Sequence, residues 1–242
     1  MKCVIIAAGQ GTRLRAIARS KPLAPIRGAA LIERVIEAAH AGGADGFVVV
    51  TGYEAEPLEA FLAELSARRG LPVETVRNPD WAGGNGLSVA MGADAAGDRF
   101  LLLMADHLFD PTIVRDLLAV ASPKAAATLC VDRRLDNPLV DLDDVTRVAL
   151  GPGGTILRIG KHIEPYDAFD TGVFLATPRL AQAIREDVMA GGAASLSAGM
   201  QRLAAEGLAA TFDIGGRFWL DVDDAVAFDH AERQPAVFAS AV

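Results

Sequence analysis

The chain has 242 residues, 51% hydrophobic, 22% charged and 6% aromatic, with a net charge of -8. It is too apolar for a disordered polymer, and its longest apolar runs, such as 100–105, are too short to cross a bilayer. The acidic balance argues against a nucleic-acid or anionic-membrane partner.

Residues 2–7 (KCVIIA) form an apolar run closed by Gly9 and Gly11, the pattern of a strand buried on both faces. This start has no basic, apolar and cleavage pattern of a secretory leader. Cys3 and Cys130 each sit in an apolar run and read as buried free thiols, so the expected location is cytoplasmic. Ile32, Val35, Ile36 and Ala39 recur at helical spacing and predict a helix over 29–41, stopped by Gly42 and Gly43. A β-branched run at 47–51 follows, then a helix carrying Leu58, Phe61, Leu62 and Leu65. A short strand at 72–76, a helix at 87–96 and a buried strand at 100–105 come next. This alternation predicts an α/β fold with a Rossmann-like, mostly parallel sheet and helices on both faces. After residue 124 the rhythm changes. Strands at 125–131, 147–150, 155–159 and 171–176 predict a small antiparallel β excursion. Helices at 178–190 and 195–206, a strand at 209–214 and a helix at 223–233 complete a single expected domain, 1–233. The tail, 234–242, has no pattern and could serve an oligomer contact, so a homodimer stays open.

Charge is unevenly spread. Residues 1–34 hold seven basic groups, Lys2, Arg13, Arg15, Arg19, Lys21, Arg27 and Arg34, against one acid, Glu33. They surround the loop Ala7-Ala8-Gly9-Gln10-Gly11-Thr12-Arg13-Leu14, which opens like the dinucleotide fingerprint G-x-G-x-x-G. Leu14 stands where the third glycine belongs, and no Walker A lysine follows at the right interval. Gly9 and Gly11 let backbone N–H groups approach phosphate oxygens. Asp106 follows the strand at 100–105, at the end where open α/β sheets bind ligands. Asp110 before Pro111 is the better helix cap, which leaves Asp106 for a hard cation. The glycine-rich loop from Trp81 to Ser88 is either a tight turn with a left-handed Asn85 or a ligand loop. Lys161, beside the Asp170-Thr171-Gly172 turn, could ion-pair with a phosphate, whereas His162 reads as exposed or hydrogen-bonded. No Ser/His/Asp or Cys/His constellation is evident. A phosphate monoester has a second pKa of about 6 and arrives ionised, so it needs no protein base.

The loop motif with Lys21-Pro22-Leu23 resembles the signature of nucleotidyltransferases that join an NTP to a sugar- or alcohol-phosphate. The resemblance implies Mg2+ and loss of pyrophosphate. It assigns Ala7, Ala8, Gly9, Gly11 and Thr12 to the nucleotide, and Arg13 and Lys21 to the triphosphate and α-phosphate. Gly84, Asn85 and Ser88 go to the nucleobase. Asp106 goes to the metal with a second carboxylate, Asp223 ahead of Asp221, and Asp224 reads as a helix start. Met104-Ala105-Asp106-His107, Gly84-Asn85-Gly86, Ile159-Gly160-Lys161, Phe169-Asp170-Thr171-Gly172 and Trp219-x-Asp221-Val222-Asp223 extend the match over nearly the whole chain. Together they are similar to the CTP:inositol-1-phosphate cytidylyltransferases, and phosphocholine cytidylyltransferases share part of the set. The implied reaction joins CTP to inositol-1-phosphate, giving CDP-inositol and pyrophosphate by Mg-assisted in-line attack. Residues 1–124 would then hold the nucleotide. Residues 125–233 would hold the acceptor, through Lys161, Asp170, Thr171 and Gly172. A related polyol or cyclitol phosphate, phosphocholine or a sugar-1-phosphate remains open as acceptor. Only Tyr53, Tyr166, Trp81 and Trp219 could cage a quaternary ammonium, a thin supply. An NAD-binding oxidoreductase is the alternative of a different class; Leu14 and the paired Arg13 and Lys21 count against it.

Overall fold

The computed structural model describes residues 1–234. The first half runs β1 (Lys2–Ile6), the short pair β2 (Pro25–Ile26) and β3 (Ala29–Ala30), α1 (Leu31–Ala41), β4 (Gly46–Thr51) and α2 (Ala55–Arg69). It continues through β5 (Val73–Arg77), α3 (Asn85–Ala96), β6 (Phe100–Met104), β7 (His107–Phe109) and α4 (Pro111–Val120). The second half comprises β8 (Ala127–Asp132), β9 (Arg147–Leu150), β10 (Ile156–Gly160) and β11 (Ala168–Ala176). It ends with α5 (Pro178–Met189), α6 (Leu196–Ala205), β12 (Ala209–Asp213), β13 (Trp219–Asp221) and α7 (Ala225–Glu232).

One nine-stranded sheet has the order β10-β9-β11-β6-β1-β4-β5, with β8 beside β11 and β12 beside β8. β6, β1, β4 and β5 pair in parallel, whereas β11 is antiparallel to β6, β8 and β9. The central strands read as unbroken apolar runs because alternate residues enter different cores. Val4, Val48, Val50 and Leu102 face α3, α5 and α6; Cys3, Ile5, Val49 and Leu103 face α1, α2 and α4. A third, smaller core collects Leu14, Ala24, Ile26, Leu31, Leu108, Leu220, Val222 and Ala231. It lies under the first loop and the two-stranded sheet of β7 and β13.

The parallel half follows the expected pattern. Three details differ. Ala29 and Ala30 pair with Pro25 and Ile26, so the first helix starts at Leu31. The strand expected at 171–176 begins at Ala168, and β12 joins β8 in parallel, so the excursion is mixed. β7 was not anticipated, because three residues between an acid and a helix cap carry no periodicity. Asp110 and Asp224 do cap α4 and α7, accepting from Thr112 and Ala227 N–H. Both cysteines are free and buried, and burial pushes both thiols up. No helix among the described residues is long and apolar enough to cross a membrane. The tail from residue 235 lies outside the described residues.

Candidate active site

The loop after β1 is shaped by its neighbours. Ala7 N–H donates to the Val50 carbonyl (2.9 Å), and Tyr53 N–H donates to the Ala8 carbonyl (3.0 Å). Gly11 is left-handed at φ 57°, and a Cβ on it would lie 2.5 Å from Lys21 Cβ. The second glycine is thus what lets the lysine cross behind the loop. Leu14 is fully buried against Leu108, Leu220 and Val222. A leucine in place of the third glycine pins the loop to β7 and β13, so Arg13 is carried to the acids those strands present.

The same two strands gather those acids. β13 pairs antiparallel with β7, placing Asp221 opposite His107 and Trp219 opposite Phe109. Val222 N–H donates to the Asp106 carbonyl (2.9 Å) and closes the end of the ribbon. Alternation sends Leu108, Leu220 and Val222 into the small core and leaves His107 and Asp221 facing a cleft.

Lys21, only 7% exposed, donates to Asp106 Oδ2 at 2.5 Å and to Asp223, with Asp221 Oδ1 at 3.9 Å. Arg13 pairs with Asp223 and Asp144, and Asp144 pairs in turn with Lys161. Burial would raise the Asp106 pKa, but Lys21 and His107 hold it below the usual carboxylate range. Burial would likewise lower that of His107; Asp221, Asp106 and the Thr171 carbonyl outweigh it and raise it to about 9. Asp170 is pushed up to about 6 by burial, against the Gly172 N–H it accepts.

This ionic chain divides two compartments. The smaller, about 260 Å³, is lined by Ala7, Gly9, Gly11, Thr12, Arg13, Lys21, Asp106 and Asp223. The larger, about 340 Å³, shares Arg13, Asp106 and Asp223 and adds Asn85, His107, Asp144, Lys161, Asp170, Gly172, Ser197, Asp221 and others.

Most of the expected residues converge, but four do not reach a compartment. Ser88 is 1% exposed and bonded to the Asn78 side chain (2.9 Å), so it is a packing residue of α3 with no access to a ligand. Thr171 is fully buried and donates to the Cys130 carbonyl. Ala8 packs beneath its loop. Gly84, at φ 112°, is required by a close approach, since a Cβ there would lie 2.6 Å from the Ala194 carbonyl oxygen. Asn85, expected at the nucleobase, opens α3 rather than adopting a left-handed turn; its Oδ1 accepts from Leu196 N–H at 2.9 Å, and it lines the larger cleft and not the smaller one. Sequence reasoning gave no role to His107 and did not single out Asp144. His107 stood only inside a motif, and Asp144 lies in an acidic run indistinguishable from a solvated loop.

The acids suit a divalent cation. Asp144, Asp221 and Asp223 present oxygens within 4.8 Å of one another, and oxygens of Asp106 and Asp221 lie within the same distance of each other and of a His107 ring nitrogen. Among the described residues, buried Asp221 Oδ1 has no hydrogen-bond partner, Lys21 Nζ being 3.9 Å away, and such an acceptor suits a hard cation.

Residues 3–203 match the model of the MobA-like NTP transferase domain. The bifunctional IPC transferase and DIPP synthase of Rubrobacter xylanophilus is 39% identical over 223 residues, 90% of this chain and 48% of that protein. The protein of the same name from Thermococcus kodakarensis is 30% identical over 234 residues, 96% of this chain and 50% of the relative. The chain thus spans about half the length of the curated relatives it matches. The inositol-1-phosphate CTP transferase from T. maritima superposes with a TM-score of 0.84, covering 98% of this chain and 97% of that one. At 24% identity, this likeness shows the nucleotidyltransferase fold.

Proposed function

The chain belongs to the MobA-like NTP transferase family, and on that premise we propose that it transfers a cytidylyl group from CTP to inositol-1-phosphate or a related polyol phosphate. The observation that carries this reading is the wall shared by the two compartments. There Arg13 and Lys21 from the first loop meet Asp106 and Asp223, with Lys161 one carboxylate away. A triphosphate in the smaller compartment would bring its α-phosphate to this wall, and an acceptor phosphate in the larger would reach it from the other side. The names of the relatives and of the T. maritima structure support the cytidylyl donor and inositol acceptor. On this reading residues 1–124 supply most of the nucleotide compartment, and 125–233 complete the acceptor cleft of the same domain.

An oxygen of the acceptor phosphate attacks the α-phosphorus in line. A new phosphorus–oxygen bond forms, the bond to the β-phosphate oxygen breaks, and pyrophosphate leaves. The attacking group is already ionised near neutrality, so no side chain has to remove a proton. Catalysis then consists of positioning and positive charge. Arg13 holds the triphosphate, Lys21 the α-phosphate as charge develops, and Lys161 the acceptor phosphate. Asp106, Asp221 and Asp223 would hold Mg2+, which would supply further positive charge to the reacting phosphates.

The acceptor cleft favours a hydroxylated ring over a quaternary ammonium. Asn85, Thr146, Asp170 and Ser197 offer hydrogen-bonding groups. Among the described residues the carbocyclic aromatic rings lining the cleft are Trp219, 3% exposed and stacked on His107, and Phe174, fully buried, so neither offers an open face for a cage. A cytoplasmic location fits the two unpaired, buried thiols. Pyrophosphate release, measured for the four NTPs against inositol-1-phosphate, phosphocholine and hexose-1-phosphates, tests the assignment. Activity with CTP and inositol-1-phosphate is expected; activity only with UTP or dTTP and a hexose phosphate overturns it.

A further inference from the structure

Between β8 and β9 the segment 133–146 contains no helix or strand, yet it supplies Leu139, Val140, Asp141, Asp144 and Thr146 to the larger cleft. Such a segment keeps its place through side-chain ties rather than a backbone ladder. Its root is held by Asp132, the last residue of β8 and 1% exposed. Oδ1 accepts from Arg134 N–H at 2.9 Å and from Arg134 Nε at 3.0 Å. Oδ2 accepts from Arg134 Nη2 at 2.9 Å, Asn137 Nδ2 at 2.8 Å and Trp219 Nε1 at 2.8 Å. Arg134 Nη2 also donates to the Arg217 carbonyl (3.0 Å), just ahead of β13. Asn137 passes the tie onward. Its Oδ1 accepts from Leu139 N–H (3.1 Å) and its carbonyl from Val140 N–H (3.2 Å), both residues of the cleft wall.

One buried carboxylate thus joins the main sheet, the cleft segment and the ribbon strand β13. Burial would raise its pKa, but Arg134 and Trp219 hold it below the usual carboxylate range. Ionised, it can only accept, and every group bonded to it donates. An amide here would turn its NH2 toward donors in either orientation.

We infer that Asp132 is a positioning residue for the acceptor: it fixes the segment 133–146 against Trp219 and thereby sets the shape of the larger cleft. The inference rests on reading that cleft as the acceptor's. Asp132 lines neither compartment, so its replacement removes no direct contact with either substrate.

Steady-state pyrophosphate release with CTP and inositol-1-phosphate separates positioning from mere stability. Lower stability reduces the folded fraction and with it the apparent kcat, but moves neither KM. A displacement of about 1 Å can cost about 100-fold in rate. D132N is therefore expected to raise the KM for inositol-1-phosphate about 10-fold or more, with the KM for CTP within about threefold of wild type. Asn137→Ala removes one link and leaves Arg134 and Trp219 on the carboxylate, so it should shift the same KM in the same direction, less far. The double variant should be no worse than D132N, because both changes break one connection. Equal rises in both KM values refute a role confined to the acceptor. If D132N keeps the KM for inositol-1-phosphate within about twofold while Lys161→Ala raises it, the role of Asp132 is overturned and the acceptor cleft stands. If Lys161→Ala leaves that KM unchanged as well, the reading of the cleft fails and the inference with it. Where D132N does not fold, Asn137→Ala decides. A raised KM for inositol-1-phosphate alone supports the tie, and an unchanged one refutes it.

Discussion

The two compartments that meet at Arg13 and Asp223 are built by different means. The smaller is mostly backbone and small side chains from one loop and one turn within the first 22 residues, closed by Ala105, Asp106 and Asp223. The larger is made of side chains from segments scattered from Arg13 to Ala227. A triphosphate presents the same oxygens whatever base it carries, so glycine-freed N–H groups and two cations suffice, and a short motif can encode them. An acceptor alcohol has no such constant part, and its site is assembled from loops on a rigid sheet.

Removing the shared wall should affect both compartments at once. Asp106→Ala is expected to cut pyrophosphate release by at least the order of 10²–10³ seen for the loss of one preorganised charge-stabilising group. A variant retaining near wild-type Mg2+-dependent rates removes Asp106 from the site. Lys161→Ala should separate the compartments. The loss of a charged hydrogen bond worth about 1.5–3 kcal/mol raises the acceptor KM by about 10–100-fold and leaves that for CTP unchanged. Selective loss of CTP binding would refute its placement. Leu14→Ala tests the anchor between first loop and ribbon. Truncating this buried leucine should cost about 2–5 kcal/mol in urea unfolding, and a cost below about 1 kcal/mol argues against a packed anchor.

The smallest expected effect comes from Asp170. With its pKa raised to about 6, the native state binds a proton that the unfolded chain releases near 4. Its ionisation therefore destabilises the native state fully above about pH 6, and that penalty fades as pH falls toward 4. Asp170→Asn keeps an acceptor for Gly172 N–H and removes the charge. At pH 7.5 it should melt about 2–4 °C higher than wild type, with the difference vanishing near pH 4. A lower melting temperature at pH 7.5 contradicts the raised pKa.

How much of this was legible depends on the range over which each feature is decided. The parallel strands were readable because burial on both faces leaves unbroken apolar runs. Asp106 was readable because the C-terminal end of such a strand is where these sheets bind ligands. Ser88 and Thr171 were assigned to ligands because they lie in motif loops, yet their side chains turn into protein. Ser88 sits one turn into α3 on the face toward Asn78, and Thr171 points away from the cleft that Asp170 and Gly172 line. Spacing alone does not say which way an element faces. His107 and Asp144 gained their meaning only from what lies opposite them.

The sequence by itself determined the succession of strands and helices in the parallel half, the phosphate-suited first loop and the chemistry available to it. Those features depend on periodicity and on glycine sterics acting over a few residues. It also showed that a chain with a net charge of -8 concentrates its cations in the first 34 residues. Only the tertiary structure decided that these cations meet Asp106, Asp144 and Asp223, and that Asp221 faces His107. The register of β7 against β13 is set by burying Leu108, Leu220 and Val222 with Leu14, a contact between segments far apart in the chain. Slipping that pairing by one residue would turn the acids into the core, so the packing of four apolar side chains places the charges of the site.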